Sequence, residues 1–366
     1  QAFGAGYDGT RGRVSAAFPM RRAFLLPLAV LVACASLREA DVAPVTPVAD
    51  AATGDEDDSG PRDSGGETSG EEEDAGPTRP RDPVCDGGCE VQRLASDLTN
   101  LGALAVDDFN AYFSDPNAVY QCTKEGCDAY WITLATKPSP WIVAANLQVM
   151  FADGAFIRVC LMGGCNGAPS TVLQESGAVG PLVATTNRLV WRTTGGDGDR
   201  IRMCHAADCD ASTASTIATA KGGASLAAGP NHVAWLDGVR TIKACALDAA
   251  STCAPKTLGD GTGEIAIAGS TAFWVTDRSI VATDIESPST PRRIARSAEP
   301  RRLVADGSNV YWRDAVEDHI YRCPLGGCDQ PETVATDIAG GPNAAIALDA
   351  NYIYWTTKKG VFRRGK

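Results

Sequence analysis

The fold is decided by LVADGSNVYWRDAVEDHIYRCPLGGCDQPETVATDI, residues 303–338. The short apolar segment LVA is followed by the turn residues GSN and then by VYW, which is rich in β-forming side chains. The segment IYRC leads into a cysteine-bounded turn, and TVAT follows that turn. The stretch therefore predicts four short strands joined by tight turns, and it contains no helical periodicity.

The same unit recurs along the chain, marked by an aromatic residue in its second predicted strand. Successive aromatics are 38 to 44 residues apart. Four short strands at a period near forty are typical of a β-propeller blade. The aromatics that mark the units are Phe113, Phe151, Trp191, Trp235, Trp274, Trp312 and Trp355.

The two ends of the repeat region complement each other. The last unit, residues 346–366, has only three predicted strands, whereas QRLASDL at 92–98 matches ETVATDI at 332–338, which contains the fourth strand of its unit. We therefore expect the N-terminal strand to complete the C-terminal blade, which would remove an open sheet edge. The prediction is an all-β, seven-bladed β-propeller of four-stranded antiparallel blades over residues 85–366.

The motifs of these units resemble those of known propellers. YWTT at 354–357, YWRD at 311–314 and FWVTD at 273–277 are similar to the motif of the YWTD class of extracellular propellers. That family usually has six blades and lacks cysteine pairs, so the resemblance is that of a related class. The cysteine-bearing units also resemble those of uncharacterised cell-surface lipoproteins of myxobacteria. Both resemblances imply a protein exposed outside the cytoplasm.

The N-terminal region has the layout of a secretory signal over residues 20–33. Arg21 and Arg22 precede eleven mostly apolar residues that end in LVAC, and this ending resembles a bacterial lipobox. The resemblance implies that Cys34 is acylated and anchors the chain, and Ala35 in place of Asp implies sorting to the outer membrane. The alternative is an ordinary signal peptide with an unrelated cysteine. Residues 1–19 fit no signal design and are interpreted as an over-extended reading frame.

Residues 34–84 are predicted to form a disordered acidic linker after the lipidated cysteine. Residues 35–84 contain 14 acidic and 4 basic side chains and almost no large apolar ones. Such a segment cannot bury enough apolar surface to offset its conformational entropy. We expect a tether that holds the folded domain away from the membrane. A calcium-binding acidic tract is the alternative, although the segment lacks EF-hand spacing.

The other twelve cysteines form six neighbouring pairs. An even number of cysteines in an exported chain indicates disulfides. A zinc site is disfavoured, because the pairs would lie far apart around the ring and the matching histidines are missing. The predicted bridges are Cys85–Cys89, Cys122–Cys127, Cys160–Cys165, Cys204–Cys209, Cys245–Cys253 and Cys323–Cys328.

Aspartates recur shortly after the aromatics of several units. A residue that recurs with the repeat is expected to be architectural, with its carboxylate accepting backbone N–H bonds in a turn. The alternative is a ring of carboxylates that holds a cation such as calcium in the central channel. These residues are Asp115, Asp153, Asp237, Asp277 and Asp314.

The composition favours a binding role over catalysis. A net charge of −12 argues against nucleic acid as a partner, and the chain has only 3 His and no GxSxG, HExxH or P-loop motif. No catalytic, cofactor or metal residue is therefore assigned.

Loops between the second and third strands, and between blades, are expected to carry function. Trp141, Arg192 and Arg313 are the predicted ligand-face residues, for a protein or glycan partner. The alternatives are a lactonase- or lyase-like propeller enzyme with a metal in the central channel, and a component of an envelope assembly.

Overall fold

The computed structural model describes residues 91–127, 130–195, 198–247, 253–338 and 344–366. Within these ranges the chain forms 28 strands in seven four-stranded antiparallel sheets, and no helix occurs there. None of the described residues belongs to a helix long and apolar enough to cross a membrane. The all-β, seven-bladed propeller predicted from the repeat is confirmed.

Each sheet is one blade, and the blades follow one another along the chain. The first strand of every blade contacts the first strand of the next, and that of blade 7 contacts that of blade 1, so the ring is closed. The strands are β1 (Gln92–Ser96); in blade 1, β2 (Leu104–Val106), β3 (Asn110–Ser114), β4 (Val119–Thr123) and β5 (Ile132–Ala135); in blade 2, β6 (Ile142–Ala145), β7 (Gln148–Asp153), β8 (Phe156–Leu161) and β9 (Ser170–Gln174); in blade 3, β10 (Ala178–Ala184), β11 (Arg188–Thr194), β12 (Asp199–His205) and β13 (Ser215–Ala220); in blade 4, β14 (Leu226–Ala228), β15 (His232–Asp237), β16 (Thr241–Ala246) and β17 (Lys256–Asp260); in blade 5, β18 (Ile265–Ala268), β19 (Thr271–Thr276), β20 (Ser279–Asp284) and β21 (Arg292–Arg296); in blade 6, β22 (Pro300–Ala305), β23 (Asn309–Asp314), β24 (His319–Pro324) and β25 (Glu332–Ala335); and in blade 7, β26 (Ile346–Leu348), β27 (Tyr352–Thr357) and β28 (Gly360–Gly365).

The ring closes through β1, as the sequence predicts. The hydrogen-bonded order in blade 7 is β1-β28-β27-β26, and Arg93 is paired with Phe362. Leu94 of β1 is buried in a cluster that also contains Tyr354 of blade 7 and Phe113 of blade 1. The N-terminal strand therefore completes one blade and also packs against the next.

The core lies between the blades. The seven aromatics that mark the repeat all lie in second strands, and none is more than 2% exposed. Because successive strands are antiparallel, their connections alternate between two faces of the ring. We call the face with the second-to-third loops and inter-blade loops the upper face, and the face with the first-to-second turns and cysteine turns the lower face.

Five of the predicted disulfides lie in the described part of the chain, and all five join neighbouring cysteines. Their Cα–Cα distances are 5.3–5.8 Å, and each closes a turn between third and fourth strands. The Cys85–Cys89 pair lies outside the described residues, as do Cys34 and the segments 1–19, 20–33 and 34–84.

Three of the recurring aspartates, Asp115, Asp237 and Asp314, accept backbone N–H bonds in loops of the upper face, as the architectural interpretation expects, whereas Asp153 binds the side chain of Arg158. Asp314 Oδ1 accepts the backbone N–H of Val316 at 2.9 Å, and its Oδ2 accepts those of Ala298 and Glu299. Asp277 differs from the others, because Thr276 occupies the equivalent strand position and Asp277 lies in the following turn with φ 35°.

A second aspartate motif, on the lower face, fastens neighbouring blades. Asp306 accepts a hydrogen bond from Tyr311 Oη, five residues later, and its Oδ2 lies 2.7 Å from Nζ of Lys366 in blade 7. Asp349 repeats this arrangement with Tyr354, five residues later, and with Lys124 of blade 1. These charged contacts link blades 6, 7 and 1 in series.

Candidate ligand-binding site at the channel mouth

The first strands of the seven blades surround a central channel. Its upper part holds a cavity of about 270 Å³ that is lined by residues from all seven blades. In six blades, the residue directly before the first hydrophobic core residue of the first strand lines this mouth. Four of these six residues have a polar or aromatic side chain. They are Trp141, Ser225, Glu264 and Arg302.

Arg302 has an unusual backbone conformation. Its φ is 53°, and it lies where the pairing of β22 with β23 shifts register between Arg301 and Val304. A bulge of this kind re-aims a side chain, and a positive φ outside glycine costs about 1 kcal/mol or more. Arg302 lines both the channel and an adjoining cavity that Asp115 also lines. The strained backbone of the chain at Arg302 therefore coincides with the position of a cationic side chain at the mouth of the channel.

The hydrogen-bonding capacity of Arg302 is only partly used. Its Nε donates to the carbonyl of Ala344 at 3.1 Å, and no other side-chain bond of Arg302 occurs among the described residues. Both Nη groups consequently retain N–H donors, which in arginine form a planar fork that matches a carboxylate.

Glu264 supplies the opposite charge from blade 5. It is half-buried, and within the described ranges its carboxylate makes no hydrogen bond and no ion pair. A carboxylate that retains both oxygens as acceptors can receive hydrogen bonds from an ammonium, an amide or a hydroxyl group. The mouth therefore presents an acceptor and a donor on neighbouring blades.

Trp141 lies in the inter-blade loop before β6, where the sequence analysis placed it. It is half-buried, packs against the core between blades 2 and 3, and lines the channel. Its backbone carbonyl accepts hydrogen bonds from Ala152 N and Ser139 Oγ, which fix the loop. Of the three predicted ligand-face residues, Trp141 is the one that the structure places at the mouth.

Arg192 is not a loop residue, and the prediction that placed it in the second-to-third loop is wrong. It lies inside β11 and is 0% exposed. Its Nη1 donates to the carbonyl of Leu236 in blade 4 at 3.1 Å, and its Nη2 donates to Asp199 at 2.8 Å and to the carbonyl of Gly222. The hydrogen bond from Arg192 holds the pKa of Asp199 below its usual value. Arg192 joins blades 3 and 4.

Arg313 occupies the equivalent position in blade 6 and requires the same correction. It lies inside β23, is 4% exposed and donates from Nη2 to Asp318. Both arginines directly follow the buried tryptophan of their strand. A cation at that position would be solvated in an isolated sheet, but packing of the blades covers it. The sequence of one blade does not reveal this burial.

Potential metal ligands and histidines do not cluster in the described part of the chain. The described residues contain no group of three or more His, Cys, Asp and Glu side chains arranged for a metal ion. The three histidines are dispersed: His232 bridges the Gly269 carbonyl and Glu286, His319 contacts Tyr321, and His205 is exposed. The polar groups at the mouth are suited to hydrogen bonding and stacking.

Comparison with known proteins identifies the fold and no family. No protein-family model matches the chain, and no curated protein matches it. Among solved structures, YCF48 from Cyanidioschyzon merolae has a TM-score of 0.55 at 10% identity, covering 75% of this chain and 98% of that one. The N-terminal domain of Nup159 has a TM-score of 0.53 at 9% identity, with 75% and 94% covered.

A third similar structure is PorZ, described as an essential bacterial surface component of the type-IX secretion system of Porphyromonas gingivalis. Its TM-score is 0.53 at 16% identity, covering 74% of this chain but only 37% of PorZ. Identities this low show a shared fold, and a shared propeller fold does not specify a function.

Proposed function

We propose that this chain is an exported, lipid-anchored propeller that acts as a binding scaffold at the cell envelope. The observation that carries the proposal is the mouth of the channel. There, Trp141, Glu264 and Arg302 present an indole, a carboxylate and two guanidinium Nη groups around one cavity, and these charged atoms have no partner among the described residues. The propeller fold is also one that supports scaffold and interaction roles in general.

The chemistry of the mouth favours a protein ligand over a neutral glycan. The indole of Trp141 can stack on an apolar or planar group. Arg302 can bind a carboxylate through two parallel N–H bonds, while Glu264 can accept a hydrogen bond from an ammonium group. A segment of a protein chain that carries an acidic and a basic side chain satisfies both charges together, whereas a neutral glycan leaves them unpaired.

The proposed location is supported by the cysteines. The five disulfides of the described residues are consistent with an oxidising, extracytoplasmic compartment. The lipobox-like ending at Cys34 supports a lipid anchor, and the acidic segment that follows would act as the stalk. The anchor is tested by Cys34→Ser, which should move the protein from the membrane fraction to the soluble fraction after export. Unchanged membrane partitioning would contradict the anchor.

The binding role is tested with substitutions at the mouth. Envelope proteins captured by the purified protein, and a panel of glycans, would be ranked by the Kd of each purified partner. Glu264→Gln retains size while removing the charge, Arg302→Gln removes the charge and retains a polar side chain, and Trp141→Ala removes the indole. We expect each substitution to raise the Kd for the true partner at least about tenfold, since each removes a contact worth about 1.4 kcal/mol or more. Leu147→Ala, at an exposed residue of a lower-face turn, is the control. A partner whose affinity survives all three substitutions would overturn the assignment of the mouth.

A further inference from the structure

Two of the five buried second-strand tryptophans donate from Nε1 to a side chain of the preceding blade. In blade 3, Trp191 Nε1 donates to Glu175 at 2.8 Å, and in blade 6, Trp312 Nε1 donates to Ser297 Oγ at 2.9 Å. Glu175 and Ser297 both lie just after the outer strand of the preceding blade. In these two blades the indole packs among side chains of both blades, and its N–H is held by a side chain of the preceding blade. Trp274 Nε1 donates to the backbone carbonyl of Asp260, and Nε1 of Trp235 and Trp355 has no hydrogen-bond partner among the described residues.

Blade 2 lacks both parts of this arrangement. Phe151 replaces the tryptophan. In blade 1 Ala135 pairs with Val119, and in blade 2 Leu173 pairs with Ile157 at the equivalent position of the sheet. Lys137 lies two residues after Ala135, as Glu175 lies two residues after Leu173, so Lys137 occupies the position of Glu175. A phenyl ring is smaller than an indole, and an ammonium group cannot accept an N–H bond. The interface between blades 1 and 2 has thus lost an indole and its acceptor together.

A cavity of about 230 Å³ occupies this interface. Ala135, Pro138, Phe151 and Pro169 provide apolar walls, while Lys137, Asp153 and Arg158 provide charge. An engineered protein cavity of about 150 Å³ is known to bind benzene, so the space is sufficient for a single aromatic ring.

Blade 1 also has a phenylalanine at the repeat position but is filled differently. The ring of Tyr120 packs 5.7 Å from that of Phe113, and Trp131 packs 5.9 Å from Tyr120. In blade 2 the residue paired with Phe151 is Arg158, whose guanidinium lies 4.5 Å from the ring centre of Phe156 instead. No aromatic side chain of this strand pair replaces the missing ring in blade 2.

The charges around the cavity favour an anion. Arg158 Nε donates to Asp153 at 3.2 Å, so the carboxylate is already engaged. Lys137 Nζ lies 3.7 Å from Asp153, and its side chain is 73% exposed. Two cations and one carboxylate leave a net positive charge, and the exposed ammonium of Lys137, whose contact with Asp153 is long, can turn toward an incoming group.

We propose that the cavity between blades 1 and 2 is a binding site for a small aromatic carboxylate. The ring occupies the space that the indole fills in blades 3 and 6, and the carboxylate pairs with Lys137. This site is separate from the channel mouth and does not depend on the proposed scaffold role.

The first test is titration of the purified protein with phenylacetate and with its neutral counterpart 2-phenylethanol, followed by NMR. Phenylacetate should bind about two- to fivefold more tightly, which is the scale of a partly exposed ion pair. Lys137→Gln should abolish this preference, whereas Lys358→Gln, at an exposed residue of blade 7, should retain it. Equal affinities of the two compounds, or an unchanged preference in Lys137→Gln, would overturn the proposal.

The second test fills the cavity. The double substitution Phe151→Trp with Lys137→Ser rebuilds the arrangement of blade 6 and should reduce phenylacetate binding at least tenfold without lowering the Tm. If this variant does not fold, the wild-type protein provides the test. Addition of phenylacetate should change the backbone amide shifts of residues 135–138 and 151–153, and Arg302→Gln should leave these changes unaffected. Shifts confined to the channel mouth, or full binding by a folded double variant, would refute the site.

Discussion

Gln92 and Arg363 are 271 positions apart in sequence, yet Arg363 Nε donates to Gln92 Oε1 at 2.8 Å. The two residues are paired across β1 and β28, the two strands that close the ring. The guanidinium of Arg363 also lies 4.6 Å from the ring centre of Tyr352, so one cation binds to both neighbouring strands. Closure thus combines backbone pairing with a side-chain contact.

Weakening the buried side of β1 should destabilise the whole propeller. Leu94 is fully buried between blades 7 and 1, so Leu94→Ala should lower the free energy of unfolding by about 2–5 kcal/mol. Leu147 is 65% exposed, and Leu147→Ala should change it by less than about 0.5 kcal/mol. Urea denaturation followed by tryptophan fluorescence measures both. Equal effects of the two substitutions would show that β1 does not contribute to the closed ring.

Removal of Arg192 should impair stability directly. The substitution Arg192→Ala leaves the Leu236 carbonyl and Asp199 without their buried partner, and we expect a loss of about 3–5 kcal/mol. Arg278→Ala, at an exposed turn residue, serves as the control. The Tm of the two variants would be compared by calorimetry. A variant of Arg192 that kept wild-type stability would restore a ligand-facing role for this residue.

Asp314 should make stability depend on pH. Burial acts to raise the pKa of Asp314, but hydrogen bonds from Ser297 and from backbone N–H groups outweigh it, so the pKa lies below its usual value. The ionised form is therefore favoured in the folded state. Its contribution is complete above the unfolded pKa of about 3.9 and is lost as the pH falls through the lower folded pKa.

Asp314→Asn should therefore lower the free energy of unfolding by about 1–3 kcal/mol at pH 7, which is the scale of hydrogen bonds to a charged group. The difference between the two proteins should shrink as the pH falls below about 4. Urea denaturation of both proteins at several pH values measures this convergence. A cost that is constant across the whole pH range would contradict the assigned pKa shift.

The cysteine turns should each add a modest stabilisation. Replacing Cys323 and Cys328 by alanine opens a loop of six residues, for which the chain-entropy model gives about 2 kcal/mol. The unfolding midpoint of this variant should also respond less to a reducing agent than that of the wild type. An identical response would show that this bridge does not stabilise the fold.

The fold was predictable because its information is local and repeated. Each blade must bury one aromatic in its second strand, so Phe113 through Trp355 mark the period despite the variation around them. The match between 92–98 and 332–338 revealed the closure, since an outer strand needs the same alternation of apolar side chains wherever it occurs in the chain.

The site was less predictable because it depends on neighbouring blades. The sequence of blade 3 alone suggests that Arg192 is an exposed loop cation, because the burial of this residue comes from its contact with blade 4. The sequence did not indicate Arg302 and Glu264, because the position directly before the first hydrophobic core residue of each first strand holds small, aromatic or charged side chains in different blades. An alignment of the seven repeats on their first strands would have brought these two residues together with Trp141. The five-residue spacing between Asp306 and Tyr311 was a further signal, repeated at Asp107–Tyr112 and Asp349–Tyr354.

Closure through β1 also imposes an order in time. During synthesis β1 is made before every other described strand, yet its partner β28 is made last. The disulfide turns join residues only five to eight positions apart and can form early, whereas the β1–β28 pair must overcome the entropy of the longest loop in the domain. Until then β1 is an unpaired strand that can join the β28 of a second molecule, so exchange of β1 between copies is the characteristic assembly error of this ring.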